Sequence, residues 1–140
     1  MTHKLYLALG SNLGNREENI RRALALIDER VGSVYRVSSY IETAPVGFQS
    51  SNKFINMVCL VHTMMSPMAC LRETQKIEKE LGRTQKSINP DGSLTYKDRL
   101  IDIDLLTYDQ LVLNTPELTL PHPRMHERDF VLIPLREIQE

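Results

Sequence analysis

The run Arg99-Leu100-Ile101-Asp102-Ile103-Asp104-Leu105-Leu106-Thr107-Tyr108 sets two carboxylates one residue apart inside an apolar stretch. In a β-strand, side chains alternate between two faces. Asp102 and Asp104 then share one face, about 7 Å apart along the strand, while Ile101, Ile103 and Leu105 fill the other. Carboxylates so placed repel each other, and in apolar surroundings one of them tends to stay protonated. A hard divalent cation removes that penalty, and Mg²⁺ is typically held by one or two carboxylates together with substrate phosphates. The alternative is a solvent-facing edge strand whose acids discourage aggregation.

The remaining pattern supplies partners for this strand. Leu5, Leu7 and Leu9 alternate with Tyr6 and Ala8 over residues 4–9, and Gly10-Ser11-Asn12-Leu13-Gly14 breaks that strand with a turn. Asn15 with Glu18 resembles a capping box ahead of the helical stripe Ile20, Ala23, Leu24, Ile27 and Val31, and Gly32 stops the helix. Residues 34–43 read as a second strand and 44–52 as a loop. A third strand runs from Phe54 to Thr63, with Ile55, Met57, Cys59 and Val61 on one face and Phe54, Asn56 and Val58 on the other. Ser66-Pro67 opens a second helix carrying Leu71, Thr74, Ile77, Glu78 and Leu81, closed by Gly82. Residues 83–98 are polar, with a turn at Asn89-Pro90-Asp91-Gly92, and are long for a simple connection. After the acidic strand, Leu111 to Leu113 is expected to pair back onto it, and an apolar tail runs from Phe130 to Ile138. This order, βαββαβ, predicts a ferredoxin-like α+β sandwich with its helices on one face of an antiparallel sheet, followed by extra C-terminal elements.

With 140 residues, one domain over 1–140 is expected, large enough for a core without disulfides. A net charge of -1 offers no global attraction to nucleic acid or to membranes, so any anion site must come from locally placed cations. Cys59 and Cys70 lie in patterned apolar stretches outside any CxxC motif, which suits reduced thiols and a cytoplasmic protein. The N-terminus has no export-type apolar core, and no apolar run approaches the roughly 20 residues needed to span a bilayer.

Arg83, Lys86, Lys97, Arg99, Arg124 and Arg128 fall in or beside loops flanking the acidic strand. Cations near acidic metal ligands are what phosphoryl transfer requires, although scattered surface solvation accounts for each one equally well. Gly10 to Gly14 lacks the Gly-Lys-Ser/Thr of a Walker loop and reads better as a strand-to-helix turn. His122 and His126 have no partner at zinc-site spacing, leaving a donor to phosphate or a surface residue. Phe54 and Asn56 could offer a ring and an amide to a flat heterocycle. Core packing explains Phe54 as well, but an unpaired buried amide costs roughly 1–3 kcal/mol, so Asn56 needs a partner.

Gly10-Ser11-Asn12-Leu13-Gly14, Thr43-Ala44-Pro45-Val46-Gly47, Phe54-Ile55-Asn56, Ile77-Glu78 leading to Gly82-Arg83, Arg99 to Asp104 and Pro121-His122-Pro123-Arg124 to Arg128 occur in that order. Together they resemble the 6-hydroxymethyl-7,8-dihydropterin pyrophosphokinases of folate biosynthesis, over nearly the whole chain. The resemblance implies transfer of pyrophosphate from MgATP to the pterin hydroxymethyl group, with release of AMP. By position it implies that Asp102 and Asp104 bridge two Mg²⁺ ions. Arg83 and Arg99 would meet phosphates as catalytic cations, with His122 and Arg128 also on the ATP side and Glu78 supporting the nucleotide site. Phe54 and Phe130 would sandwich the pterin, and Asn56, with backbone from Thr43 through Pro45, Val46 and Gly47, would read its polar edge. Departures from the family pattern include Gln85 where some relatives carry a second Arg, and Tyr96-Lys97-Asp98 in place of Trp-Gly-Pro before Arg99. A non-catalytic ligand-sensing module on the same fold is the competing expectation, because this fold hosts many functions.

Overall fold

The computed structural model describes residues 1–43, 53–82, 87–88, 94–95 and 100–140. The elements in chain order are β1 (His3–Ser11), α1 (Arg16–Arg30), β2 (Ser33–Val37), β3 (Ile41–Thr43), β4 (Phe54–Thr63) and α2 (Pro67–Glu80). They continue with β5 (Ser87–Ile88), β6 (Leu94–Thr95), β7 (Asp102–Tyr108), β8 (Leu113–Asn114), β9 (Thr119–Leu120), a 3₁₀ turn (Met125–Glu127) and α3 (Asp129–Ile138).

Both early helices start where the sequence places their caps. Asn15 Oδ1 accepts the Glu18 N–H at 3.1 Å, and Ser66 Oγ accepts the Ala69 N–H at 3.3 Å, satisfying donors that a first helical turn leaves open. The Glu18 carboxylate does not return the bond as a capping box would; it pairs with Arg21 one turn on.

The main sheet runs β2-β4-β1-β7, with β3 also paired to β4 and every pairing antiparallel. This is the ferredoxin-like sandwich with its second strand broken in two. The break falls at Ser38 and Ser39. Ser38 Oγ takes the ladder bond from Val58 N–H at 2.9 Å, and the Glu137 carboxylate of α3 accepts from both the N–H and the hydroxyl of Ser39. The strand expected over 34–43 is therefore two, because local side-chain bonds compete with the ladder.

Odd-numbered residues of β1 and β4 (Leu5, Leu7, Leu9, Met57, Cys59, Val61) join Ile103 and Leu105 of β7 in a core with Ile20, Ala23 and Ile27 of α1 and Cys70 and Ile77 of α2. On the opposite face Tyr6, Val58, Leu60 and Leu106 pack with Met125, Val131, Leu135 and Ile138. The two helices of the βαββαβ motif share one face as expected, and the extra C-terminal element covers the other. The apolar tail folds as α3 on the second face despite Pro134 in its interior. A second correction concerns Leu111 to Leu113. Asp109, at φ 50°, turns the chain after β7, and β8 pairs with β9 in a separate two-stranded sheet.

Cys59 and Cys70 are free and buried, and burial pushes the Cys59 thiol up to about 12, which makes it an inert core group. Among the described residues, no helix is long and apolar enough to cross a membrane.

Candidate active site

Cross-strand register builds the site. Gly10 of β1 stands opposite Asn56 of β4 on one side and Asp102 of β7 on the other. One row along, Ala8 stands between Val58 and Asp104. Directly paired residues in a sheet share a face, so Asn56, Gly10, Asp102, Ala8 and Asp104 all belong to the face that carries α3. Neighbouring strands lie about 4.8 Å apart, which puts the Asn56 and Asp102 backbones about 10 Å apart across Gly10. The period-two reading of the acidic strand holds: both aspartates are half-buried, and Ile101, Ile103 and Leu105, which alternate with them, are buried on the other side.

The central residue of this row has no side chain for a spatial reason. A Cβ on Gly10 would meet Asn56 Oδ1 at 2.8 Å and the Phe54 ring at 3.4 Å. Gly10 is therefore the floor over which the Asn56 carbonyl and the Phe54 ring edge lie. The sequence shows Gly10 only as the start of a turn; its place beneath Phe54 and Asn56 follows from strand register, although the small pair Ala8 and Gly10 in an otherwise Leu-rich strand was a signal. The Asn56 amide nitrogen donates to Thr43 Oγ1 at 2.8 Å. That bond supplies the partner the buried amide needs, fixes the amide's orientation and brings Thr43 into the group.

The turn after β1 is used internally. Ser11 and Asn12 are buried, and Asn19 Nδ2 donates to Ser11 Oγ at 3.2 Å and to the Leu13 carbonyl at 2.8 Å. These bonds are those of the strand-to-helix turn.

His122 reaches the acidic strand from the C-terminal segment. Its N–H donates to the Leu106 carbonyl at 2.8 Å, and its ring Nδ1 accepts the Arg124 N–H at 3.1 Å. A neutral ring with Nδ1 accepting carries its proton on Nε2. Burial, and then the charges of Arg128 and Arg124, hold the imidazole below its usual 6.5, while Asp102 opposes them. His122 thus stands near neutral pH as an uncharged ring with an Nε2–H to donate. The Arg128 guanidinium lies 5.7 Å from the centre of the Phe130 ring, a cation–π contact at the start of α3. Phe130 is half-buried against the second core with Ala8. His126 is exposed.

Glu78 is 4% exposed on α2, and its Oε2 accepts the Ile103 N–H at 2.8 Å. It reaches β7 from the helix side, opposite the two aspartates. Arg83, Arg99, Pro45, Val46 and Gly47, with Gln85, Lys86 and Lys97, lie outside the described residues. Among the described residues, no group of three or more His, Cys, Asp or Glu side chains could hold a metal. A two-carboxylate set suits Mg²⁺ completed by phosphate oxygens and water, and does not suit a closed zinc or calcium cage.

Comparison with known proteins identifies the family of the chain. The profile of 7,8-dihydro-6-hydroxymethylpterin-pyrophosphokinase matches residues 6–140. The chain belongs to this pyrophosphokinase family. The 2-amino-4-hydroxy-6-hydroxymethyldihydropteridine pyrophosphokinase of Porphyromonas gingivalis is 45% identical over 135 residues, 96% of this chain and 89% of the relative. That of Bacillus subtilis is 42% identical over 139 residues, 99% of this chain and 79% of the relative. Among solved structures, wild-type Plasmodium falciparum HPPK-DHPS superposes with a TM-score of 0.73 at 14% identity, over 98% of this chain and 41% of that longer one, a likeness of fold. The pyrophosphokinase is an ATP-dependent diphosphotransferase that acts on hydroxymethyldihydropterin in folate biosynthesis. ATP and the pterin alcohol are its substrates, and Mg²⁺ accompanies ATP.

Proposed function

We propose that Asp102 and Asp104 hold two Mg²⁺ ions and that the row Asn56–Gly10–Asp102 sets the pterin beside them. What supports the reading is the register: the amide that would read a heterocycle and the carboxylates that would hold metal occupy one face, with a glycine between them. When bound, Mg²⁺ would supply charge neutralisation at the phosphates and orient the reacting oxygens.

In this reading the hydroxymethyl oxygen attacks the β-phosphorus of ATP, the bond from that phosphorus to the α–β bridging oxygen breaks so that AMP leaves, and the hydroxyl proton passes to water. The Phe54 and Phe130 rings stack on the two faces of the pterin, while Asn56, steadied by Thr43, selects its hydrogen-bonding edge together with backbone at Pro45, Val46 and Gly47. His122 donates its Nε2–H to a phosphate oxygen without adding charge, and Arg128, Arg83 and Arg99 supply the cations. In this reading Glu78, buried on α2, touches neither substrate and supports the nucleotide site only through β7, whose Ile103 N–H it holds. The fit is to a reaction run by positioning and electrostatics, with no strong general base required. The same reading takes residues 1–140 as one domain that works in the cytoplasm, apart from membranes and nucleic acid, in keeping with the buried free thiols.

Incubation with MgATP and 6-hydroxymethyl-7,8-dihydropterin should yield AMP and pterin diphosphate one for one. Stoichiometric ADP would mean transfer of a single phosphate and would overturn this reading.

A further inference from the structure

We infer that Glu78 is a positioning residue: its buried carboxylate fixes the two aspartates by clamping the backbone between them. The inference rests on the proposed metal role of Asp102 and Asp104 and deepens it. Among the described residues, β7 is an edge strand of the main sheet, paired on one side to β1 and on the other to no strand. N–H groups along a strand point alternately to its two sides. The register sets Asp102, Ile103 and Asp104 opposite Gly10, Leu9 and Ala8 in turn, and the Ile103 N–H bonds to Glu78 and not to the Leu9 carbonyl. That N–H therefore faces the open side of the sheet. A buried N–H at a sheet edge must find a partner, and Glu78 supplies one from α2 at the residue between the two aspartates.

A second contact joins the residues just past α2 to those just before β7. Just past the end of α2, Gly82 has φ 106°, and a Cβ there would lie 2.5 Å from Leu100 Cδ1, so Leu100 is seated directly on it. Leu100 also packs beside Gly14, where a Cβ would meet it at 3.6 Å. The run 100–104 is thus held at Leu100 by a seat and at Ile103 by a hydrogen bond, both from the α2 side, while Asp102 and Asp104 project from the other face. Two carboxylates that must meet near-ideal octahedral metal geometry tolerate little backbone drift, and a bond at the residue between them restricts both at once. A charged acceptor makes that bond stronger than a neutral one, though a neutral carbonyl retains most of its geometry.

The test compares Glu78→Gln, whose side-chain oxygen still accepts from Ile103 N–H, with Glu78→Met, which cannot. The readouts are kcat, the Mg²⁺ concentration needed for half-maximal rate at saturating ATP, and NMR exchange of the Ile103 amide. E78Q should stay within about threefold of the parent in all three. E78M should lower kcat by about thirtyfold or more, raise the Mg²⁺ requirement, leave the pterin KM unchanged and speed exchange at Ile103. If E78Q falls as far as E78M while its Ile103 amide stays protected, the negative charge itself is read, and positioning through Ile103 is overturned. Parental kcat in E78M overturns it as well. Should E78M not fold, E78Q and Ile103 exchange decide alone. A parent chain that makes no AMP would instead defeat the metal reading, and that outcome is separate because the exchange arm needs no turnover.

Discussion

The two faces of the central sheet are made by the same strands and put to opposite uses. Toward α1 and α2, Leu5, Leu7, Leu9, Met57, Cys59, Val61, Ile103 and Leu105 form an apolar layer. Toward α3, the apolar residues Tyr6, Leu60 and Leu106 occupy one end and Phe54, Asn56, Gly10 and Asp102 the other, with Val58 and Asp104 sharing the row between them. Two helices of 15 and 14 residues cover the first face, and one of 10 residues packs on the second. A strand with period two can thus serve stability and chemistry without compromise between them: each alternate position of β7 answers to a different demand. The two demands meet at Glu78, a polar residue on the core side whose bond acts on the backbone beneath the site.

If the faces are separable, changes on each should read out in different experiments. Asp102→Ala and Asp104→Ala should each lower kcat on the order of 10³-fold or more, a loss of about 4 kcal/mol of transition-state stabilisation, with a smaller change in unfolding free energy than a core truncation brings. Leu7→Ala, at a position fully buried on the opposite face, should cost about 2–5 kcal/mol of stability and leave kcat per folded molecule intact. Denaturant melts and steady-state rates on both sets check this. A D102A variant that melts early but still turns over would break the comparison.

A narrower effect belongs to the floor of the site. Gly10→Ala would drive a methyl group to within 2.8 Å of the Asn56 oxygen and 3.4 Å of the Phe54 ring. The pterin KM should rise about tenfold, equivalent to about 1.4 kcal/mol, while nucleotide affinity in a binding titration holds. Equal loss of both affinities would show that Gly10 is only structural.

His122 gives the smallest effect. Its folded ring titrates below the usual 6.5 because of burial and the neighbouring Arg128 and Arg124, so as pH falls below about 6.5 the unfolded chain binds a proton that the folded one does not. Stability is then lost as pH drops through that value, and the loss from this group stops once the folded ring itself protonates. His122→Gln should flatten that slope in urea melts between pH 5 and 7. An unchanged slope would remove His122 from the account.

Much of the fold and of the candidate site is legible in the sequence, and what is not has identifiable causes. The acidic strand, β4 and both early helices follow from period and cap chemistry carried within each segment, as at Asn15 and Ser66. The break between β2 and β3 was not legible, because it depends on Glu137 bonding Ser39 from 98 positions away. α3 was concealed by Pro134, which argues locally against a helix that tertiary burial nevertheless stabilises. Gly10 as a floor and Glu78 as a clamp needed register between strands and helices, which no single segment encodes. Asp102, Asp104, Asn56 and Phe54 stood out because each breaks an apolar pattern or offers a group that needs a partner.

The most direct test is anomalous diffraction from crystals grown with Mn²⁺ in place of Mg²⁺, a non-hydrolysable ATP analogue and the pterin alcohol. Two metal peaks at about 2.1 Å from carboxylate oxygens of Asp102 and Asp104, bridging to phosphate oxygens, are the predicted result. A complex with both substrates seated and no metal at either aspartate, from enzyme that still forms AMP, would contradict it.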